Sequence, residues 1–269
     1  MIDLLKIALK TTLIATKEVL FQYENGFEVF IKKDNSPVTS ADLKAHEIFI
    51  ENLKNTEFPI LSEEGDFYTY EIRSSWDKFW CIDPIDGTRE FVDKTDEYCL
   101  SIGLIDKNTS YLGVLCAPSL NLLYFACEGL GSYKCSLDIK KLIQEDFDFD
   151  FMLNNSLKLP ITCKQINYSF LTSRTHRNQN DENYLKKLQT EHQNLNVRKM
   201  GSAIKLGLVC EGYANEYARL SDVNFWDLAG GHAIAKYADL PFISILTGKE
   251  PTYTDENMKN KTYQLINIL

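Results

Sequence analysis

The sequence predicts an α/β protein built as a layered sandwich with mixed sheets. Segments with helical spacing of apolar residues alternate with short, β-prone apolar runs along most of the chain, which is typical of α/β architectures. Three consecutive strand-like runs in the middle of the chain are joined by short polar turns, and this favours an antiparallel meander. The length of 269 residues allows one large domain or two packed halves.

The N-terminal elements follow from periodicity and from turn residues. Apolar residues recur at helical spacing over 4–23 and 41–54, and each of these segments is predicted to form a helix. Residues 37–40 are predicted to interrupt the regular structure and then to supply the N-cap of the second helix. Five apolar residues of that helix are expected to face inward: Leu43, Ala45, Ile48, Phe49 and Leu53. Strands are predicted over 27–32, 59–61 and 78–82.

The middle of the chain is predicted to form the meander and then an irregular excursion. The strands of the meander are expected over 98–105, 111–116 and 122–127. Residues 138–160 mix acidic, aromatic and polar residues without a regular pattern. They are the expected boundary between two halves. We therefore divide the chain into residues 1–137 and 138–269, which together form one compact unit.

The C-terminal half is predicted to alternate strands with helices. The strands are expected over 168–172, 195–199, 213–219, 242–246 and 262–266. The helices are expected over 181–190, 202–211 and 224–237. Ser202 is the predicted N-cap of the second of these helices, and Gly212 is predicted to close it.

Composition argues against several classes of function. With a net charge of −9, a polynucleotide partner is not expected, because binding to nucleic acid needs many phosphate-facing cations. Since no apolar run reaches about 18 residues, no transmembrane segment is expected, and the polar N-terminus indicates an amphipathic helix instead of a signal peptide. The seven scattered cysteines include no C-x-x-C pair and indicate free thiols. We expect a cytoplasmic monomer or homodimer, with peripheral association at the inner membrane left open.

The stretch Asp83-Pro84-Ile85-Asp86-Gly87-Thr88 is the most informative in the chain. Its two carboxylates directly follow a buried strand, at the kind of strand end where α/β sheets bind ligands. Carboxylates are the ligands that hard divalent cations prefer, and the N–H groups of Gly87 and Thr88 can bind a phosphate if they open a helix. An Asp-Pro or Asp-Gly pair taken alone favours an ordinary turn, whereas the whole hexapeptide after a buried strand favours a binding site.

Further carboxylates lie at the ends of other predicted elements. Glu63 and Glu64 end a strand, Asp227 lies near the start of a helix, and Asp42 lies in the first turn of another helix. Bringing such groups together costs free energy unless divalent cations offset their repulsion. In isolation, Asp227 and Asp42 could simply stabilise helix N-termini.

Four segments carry these residues in order through nearly the whole chain: 36–42, 61–64, 83–91 and 225–233. Together they resemble the lithium-sensitive, magnesium-dependent phosphatases of the inositol monophosphatase superfamily. The closer likeness is to the bacterial 3′(2′),5′-bisphosphate nucleotidases of the CysQ type, because Arg89-Glu90-Phe91 looks like their Lys-Glu-Phe. Arg89 in place of lysine and the acidic stretch 146–150 depart from that pattern.

The resemblance implies an αβαβα sugar-phosphatase sandwich with largely antiparallel sheets and two or three Mg²⁺ ions. The implied metal ligands are Glu63, Asp83, the Ile85 carbonyl, Asp86 and Asp227. Asp42 and Thr88 are the implied pair that orients the attacking water. Glu64 is implied to support the metal ligands without binding the metal itself. The expected substrate contacts are the following residues: Gly87, Thr88, Ser173, His176, Ser202 and Lys205. The last four lie in segments that resemble those that receive the nucleotide in the family.

The resemblance also implies an activity. The substrate would be adenosine 3′,5′-bisphosphate, which would give AMP and phosphate, and 3′-phosphoadenylyl sulfate would be accepted too, as in sulfur metabolism. Two metals about 3.5–4 Å apart can activate a water without a protein nucleophile, and inhibition by Li⁺ is implied. Two alternatives stay open: an inositol monophosphatase or fructose-1,6-bisphosphatase, and a catalytically silent protein that binds nucleotides or metals.

Overall fold

The helices and strands are taken from a computed structural model that describes residues 2–162, 166–175, 177–267 and 269. The helices within these ranges are α1 Ile2–Asn25, α2 Ser40–Leu53, α3 Tyr70–Arg73, α4 Thr88–Val92, α5 Ile139–Leu142, α6 Phe149–Asn154, α7 Gln179–Glu191, α8 Ile204–Cys210 and α9 Phe225–Tyr237. The strands are β1 Val29–Ile31, β2 Pro37–Thr39, β3 Ile60–Ser62, β4 Lys78–Asp86, β5 Cys99–Asp106, β6 Thr109–Ala117, β7 Leu122–Cys127, β8 Gly131–Cys135, β9 Ser156–Lys158, β10 Ser169–Ser173, β11 Asn196–Met200, β12 Glu216–Asn224, β13 Phe242–Ile243 and β14 Lys259–Ile266. None of these helices combines the length and the apolar character that a bilayer span requires.

Two sheets and three helical layers are stacked in the order helix, sheet, helix, sheet, helix. Helices α1 and α2 pack on one face of a seven-stranded sheet, and α8 and α9 lie between that sheet and a five-stranded sheet. Helix α7 packs on β12 in the outer layer. The predicted αβαβα sandwich with mixed sheets is therefore confirmed.

The seven-stranded sheet contains the predicted meander. Its strand order is β3-β4-β5-β6-β7-β8-β9, and every pair is antiparallel except β3 with β4. The five-stranded sheet has the order β11-β10-β12-β14-β13, with parallel pairing around β10 and antiparallel pairing around β14. Strands β1 and β2 form a separate antiparallel hairpin.

Helix α9 lies unusually close to the meander. A Cβ atom added at Gly113 of β6 would lie 2.3 Å from the Gly230 carbonyl oxygen, and one added at Gly103 of β5 would lie 2.7 Å from a backbone atom of Ala229. No larger side chain fits at such distances, so small residues are needed on both surfaces. This close approach at 229–231 fixes the first turn of α9, with Asp227, against the sheet.

The start of α8 differs from the prediction. Its N-cap is Ala203, and the helix begins at Ile204. Ser202, predicted to be the N-cap, has a φ of 49° in the left-handed region, so the chain is still turning there and cannot yet be helical. Gly212, with a φ of 75°, follows the end of the helix as predicted.

Other local predictions also need correction. Residues 138–160 are more regular than expected, because they contain α5, α6 and β9, and β9 adds an edge strand to the seven-stranded sheet. Thr39, the last residue of β2, is the N-cap of α2. Leu43 does not face inward, since it is 41% exposed. The division of the chain at residue 137 stays a prediction.

Candidate active site

The candidate site is a cavity of about 350 Å³ at the ends of several strands. Parallel pairing of β3 with β4 brings Ser62 beside Ile82, and the Glu63 N–H donates to the Ile82 carbonyl at 3.1 Å. Segments distant in sequence therefore open into one space. The predicted residues that line it are Glu63, Asp83, Ile85, Asp86, Gly87, Thr88, Ser173, Ser202, Lys205 and Asp227.

The end of β4 has a local irregularity that turns its side chains toward the cavity. The register against β5 shifts between Asp83 and Asp86. Pro84 lies in that interval and has no N–H for the ladder, so regular pairing stops there. A shift of this kind bends a strand and redirects its side chains, which explains why both carboxylates of the motif line the same cavity.

Three carboxylates form a compact group. Glu63, Asp83 and Asp227 each place a carboxylate oxygen within 4.8 Å of the other two. They come from the end of β3, from β4 and from the first turn of α9. The close packing of α9 on the meander is what brings Asp227 into this group.

The electrostatics of this group favour a bound cation. Burial, and then the charges of Glu63, Asp86 and Asp227, raise the pKa of Asp83 well above its usual range. Burial and the neighbouring carboxylates likewise raise the pKa of Asp227, although Arg219 opposes that effect. Anionic oxygens that repel one another in a buried site are the donor set that hard divalent cations neutralise. The residues present therefore fit a metal centre.

Asp86 lies outside the three-carboxylate group and contacts a different wall. The Ala203 N–H donates to Asp86 Oδ2. Burial raises the pKa of Asp86 to about 6, with Lys205 opposing the rise. Asp86 thus links the end of β4 to the loop before α8, and its predicted role as a metal ligand stays a prediction.

Lys32 is a neighbour of the carboxylates that the sequence did not predict. It follows β1, and its Nζ lies 2.9 Å from Glu63 Oε1 and 2.6 Å from Glu64 Oε1. Burial raises the pKa of Glu64 to about 7, although the bond from Lys32 opposes that rise. The ammonium group offsets part of the negative charge at the edge of the site.

Thr88 and Asp42 form the pair that the resemblance implied. Thr88 Oγ1 lies 3.0 Å from Asp42 Oδ1 and 3.1 Å from the Ile85 carbonyl oxygen, and it can donate its one proton to either. Asp42 Oδ2 accepts from the Thr39 N–H at 2.8 Å and from the Thr39 hydroxyl in a capping box. Asp42 is buried, and burial raises its pKa. The carboxylate is therefore held in one orientation by the start of α2.

Lys205 has a more structural environment than the sequence suggested. Its side chain is buried, and its Nζ donates to the Gly201 carbonyl at 2.9 Å and to the Ser202 carbonyl. Since an ammonium group has three protons, two are already engaged by the backbone. The predicted contact at His176 lies outside the described residues.

Residues that the sequence did not predict also line the cavity, and they include Arg174, Tyr217, Arg219 and Tyr263. Arg174 is engaged by Glu97, with Nε 2.8 Å from Glu97 Oε2. The signal that could have found Arg219 is its place near the end of a predicted strand, where ligand-binding residues concentrate.

Comparisons with known proteins identify the family of this chain. The family model described as "Inositol monophosphatase family" matches residues 2–257. The chain belongs to the inositol monophosphatase family. A Shigella flexneri relative, 3′(2′),5′-bisphosphate nucleotidase CysQ, is 37% identical over 213 residues, which are 78% of this chain and 77% of the relative. The Buchnera aphidicola protein of the same name is 34% identical over 242 residues, 89% of this chain and 80% of its own.

Solved structures support the same placement within the family. The crystal structure of CysQ from Bacteroides thetaiotaomicron matches with a TM-score of 0.89 at 34% identity, covering 99% of this chain and 98% of that one. The inositol monophosphatase of Thermotoga maritima matches with a TM-score of 0.75 at 21% identity, covering 99% and 93%, and this second likeness shows the fold alone. The predicted resemblance is confirmed.

Proposed function

We propose that this family member is a Mg²⁺-dependent 3′(2′),5′-bisphosphate nucleotidase, a phosphoric monoester hydrolase that releases the 3′-phosphate of adenosine 3′,5′-bisphosphate to leave AMP. The observation that carries the proposal is that the Glu63–Asp83–Asp227 group and Thr88, whose hydroxyl lies 3.0 Å from the buried Asp42 carboxylate, line one cavity. The names of relatives at 34–37% identity support the choice of substrate.

The metal centre is proposed to hold two or three Mg²⁺ ions. Glu63, Asp83 and Asp227 would hold them, together with Asp86 and the Ile85 carbonyl. When bound, such ions neutralise the phosphate, acidify a water and stabilise the leaving oxygen. Every ligand type here is oxygen, which suits Mg²⁺ and disfavours softer metals.

The protein's own contribution is to hold the attacking water. When the Thr88 hydroxyl donates its proton to Asp42, its oxygen lone pairs remain free to accept a hydrogen bond from a water in the cavity. Asp42 cannot rotate away because Thr39 engages its other oxygen. Fixed orientation of this kind lowers the entropic cost of reaching the transition state. The roles of Glu64 in supporting the centre and of Gly87, Ser173 and Ser202 in contacting the substrate belong to the same proposal.

A substrate panel tests the proposal. Phosphate release would be measured with Mg²⁺ from adenosine 3′,5′-bisphosphate, inositol 1-phosphate and fructose 1,6-bisphosphate at equal concentration. We expect the nucleotide to be hydrolysed at least about tenfold faster, loss of all activity on chelation, and inhibition by Li⁺. A preference for inositol phosphate or fructose bisphosphate would reject the nucleotidase, and no hydrolysis of any of them would favour a silent binding protein.

The cellular setting is part of the same proposal. All six described cysteines are free and buried, which fits a reducing compartment, while Cys163 lies outside the described residues. A cytoplasmic location, a monomer or homodimer, and the absence of a polynucleotide partner remain predictions.

A further inference from the structure

The turn between β1 and β2 places a cation next to the proposed metal centre. Residues 32–36 form this turn: the Lys32 N–H donates to the Ser36 carbonyl at 2.8 Å, and the Asn35 N–H donates to the Lys32 carbonyl at 3.0 Å. Asp34 and Ser36 line the cavity. The backbone of Lys32 is therefore held at the rim of the site, and its side chain reaches carboxylates inside it.

The Lys32 ammonium group bonds to two carboxylates that differ in their surroundings. Its Nζ donates to Glu63 Oε1 at 2.9 Å and to Glu64 Oε1 at 2.6 Å. Glu63 also belongs to the compact carboxylate group with Asp83 and Asp227, and Glu64 lies outside that group. Glu63 is therefore shared between the metal centre and the ammonium group, whereas Glu64 is available to the ammonium group alone.

A metal ion and the ammonium group would compete for Glu63. An ion bound to Glu63 Oε1 would be separated from the Lys32 Nζ by that one oxygen atom. Two positive charges so close together repel strongly in a partly buried site, where water and salt screen them less than at the surface. Binding of the ion therefore favours an arrangement in which the ammonium group leaves Glu63.

Lys32 can leave Glu63 without a change in the fold. Lysine has a flexible four-carbon stem, and the Lys32 side chain is 23% exposed. The shorter contact of the ammonium group, with Glu64, does not involve the carboxylate group of the metal centre. Because this contact can persist, the ammonium group need not become unpaired when Glu63 binds an ion.

We propose that Lys32 is a tethered cation that competes with a divalent ion for Glu63, and that Glu64 holds the ammonium group when the ion is bound. This inference rests on the proposed metal centre. It makes Lys32 a residue that sets the metal affinity: the centre binds its ion less tightly than its carboxylates alone would allow.

Equilibrium binding of Mn²⁺ to the metal-free protein, without any substrate, tests the inference. Electron paramagnetic resonance of the free ion would give the affinities. Lys32→Gln should bind at least one Mn²⁺ about tenfold more tightly, because the competing charge is gone. Lys32→Arg keeps the charge and should bind Mn²⁺ as the wild type does. Lys33→Gln removes the same charge from the next residue, which is exposed, and should change the affinity by less than about twofold.

Amine labelling of the wild-type protein gives a second readout, which holds even if Lys32→Gln does not fold. An amine-specific acylating reagent would be applied with Mg²⁺ or with a chelator, and modified lysines would be quantified by mass spectrometry. Lys32 should react at least about twofold faster with Mg²⁺, because a lysine released from one carboxylate and repelled by an ion loses its proton more readily. The rate at Lys33 should not change. Equal or slower labelling of Lys32 with Mg²⁺ would overturn the inference.

The outcomes separate this inference from the proposed metal centre. If the wild-type protein binds no Mn²⁺, the metal centre is assigned wrongly and the inference fails with it. If the wild-type protein binds Mn²⁺ and Lys32→Gln binds it with the same affinity, only the inference fails. Weaker binding by Lys32→Gln would show that Lys32 instead orients Glu63 for the metal, which also rejects competition.

Discussion

Replacing Asp83 with asparagine is expected to abolish phosphate release and, at the same time, to stabilise the metal-free protein. Asp83 is 2% exposed and lies in the group with Glu63 and Asp227. Loss of its charge removes a proposed metal ligand, and we expect kcat/KM to fall by at least about 1,000-fold. The same change removes like-charge repulsion, as is common where function and stability oppose each other.

The stabilising effect should depend on pH. Burial and its acidic neighbours raise the pKa of Asp83 above its value in the unfolded chain, so the folded state binds the proton more tightly. Stability of the metal-free wild type therefore falls as the pH rises from about 4 through the raised pKa. The Asp83→Asn variant does not lose stability in this way. Its gain in stability over the metal-free wild type should therefore be larger at about pH 8 than at about pH 5.

Thermal unfolding after chelation, followed by addition of Mg²⁺, measures both effects. A gain on the order of 1 kcal/mol would raise the melting temperature by about 2–4 °C in a chain of this size, and Mg²⁺ should stabilise the wild type far more than the variant. Asp222→Asn removes an exposed carboxylate and serves as the control. Unchanged activity in Asp83→Asn would show that the metal centre is assigned wrongly.

The second large effect is expected at Thr88. Thr88→Val keeps the shape of the side chain but removes the hydroxyl that bonds to Asp42 Oδ1 at 3.0 Å. The attacking water then loses its orienting acceptor, and we expect kcat to fall about 100- to 10,000-fold. KM should change little, because the hydroxyl acts mainly in the transition state.

The controls separate this role from a structural one. Thr88→Ser retains the hydroxyl and should keep most of the activity, whereas Thr190→Val, at an exposed position, should have no effect. Circular dichroism would check that each variant is folded. If Thr88→Val and Thr88→Ser were equally active, the water-orienting role of the Thr88–Asp42 pair would be rejected.

Much of the fold was predictable because it depends on local patterns. Helices α1, α2 and α9 have apolar spacing or small-residue motifs that their own segments reveal, and the meander has short polar turns between its strands. The start of α8 was harder to predict from the sequence. Serine often caps helices, but Ser202 has a left-handed φ and so does not cap this one. The helices within 138–160 are short, with four and six residues, too few to establish a period.

The candidate site was predictable only in part. Glu63, Asp83 and Asp227 were found because acidic residues at element ends are conspicuous, and a family resemblance linked them. Lys32 was not found, since its contacts with Glu63 and Glu64 join segments about 30 residues apart and arise only in the folded chain. Arg219 was not found either, because its place at a strand end was not weighed and only the fold shows that it lines the cavity.

The most direct test of the account is to locate bound metal. Crystals grown with Mn²⁺, AMP and phosphate would be measured for anomalous scattering, since Mn²⁺ shares the oxygen ligands of Mg²⁺. We expect at least two peaks bounded by Glu63, Asp83 and Asp227, with phosphate beside them. Ordered crystals with no peak among these three carboxylates, or with the metal bound elsewhere, would contradict it.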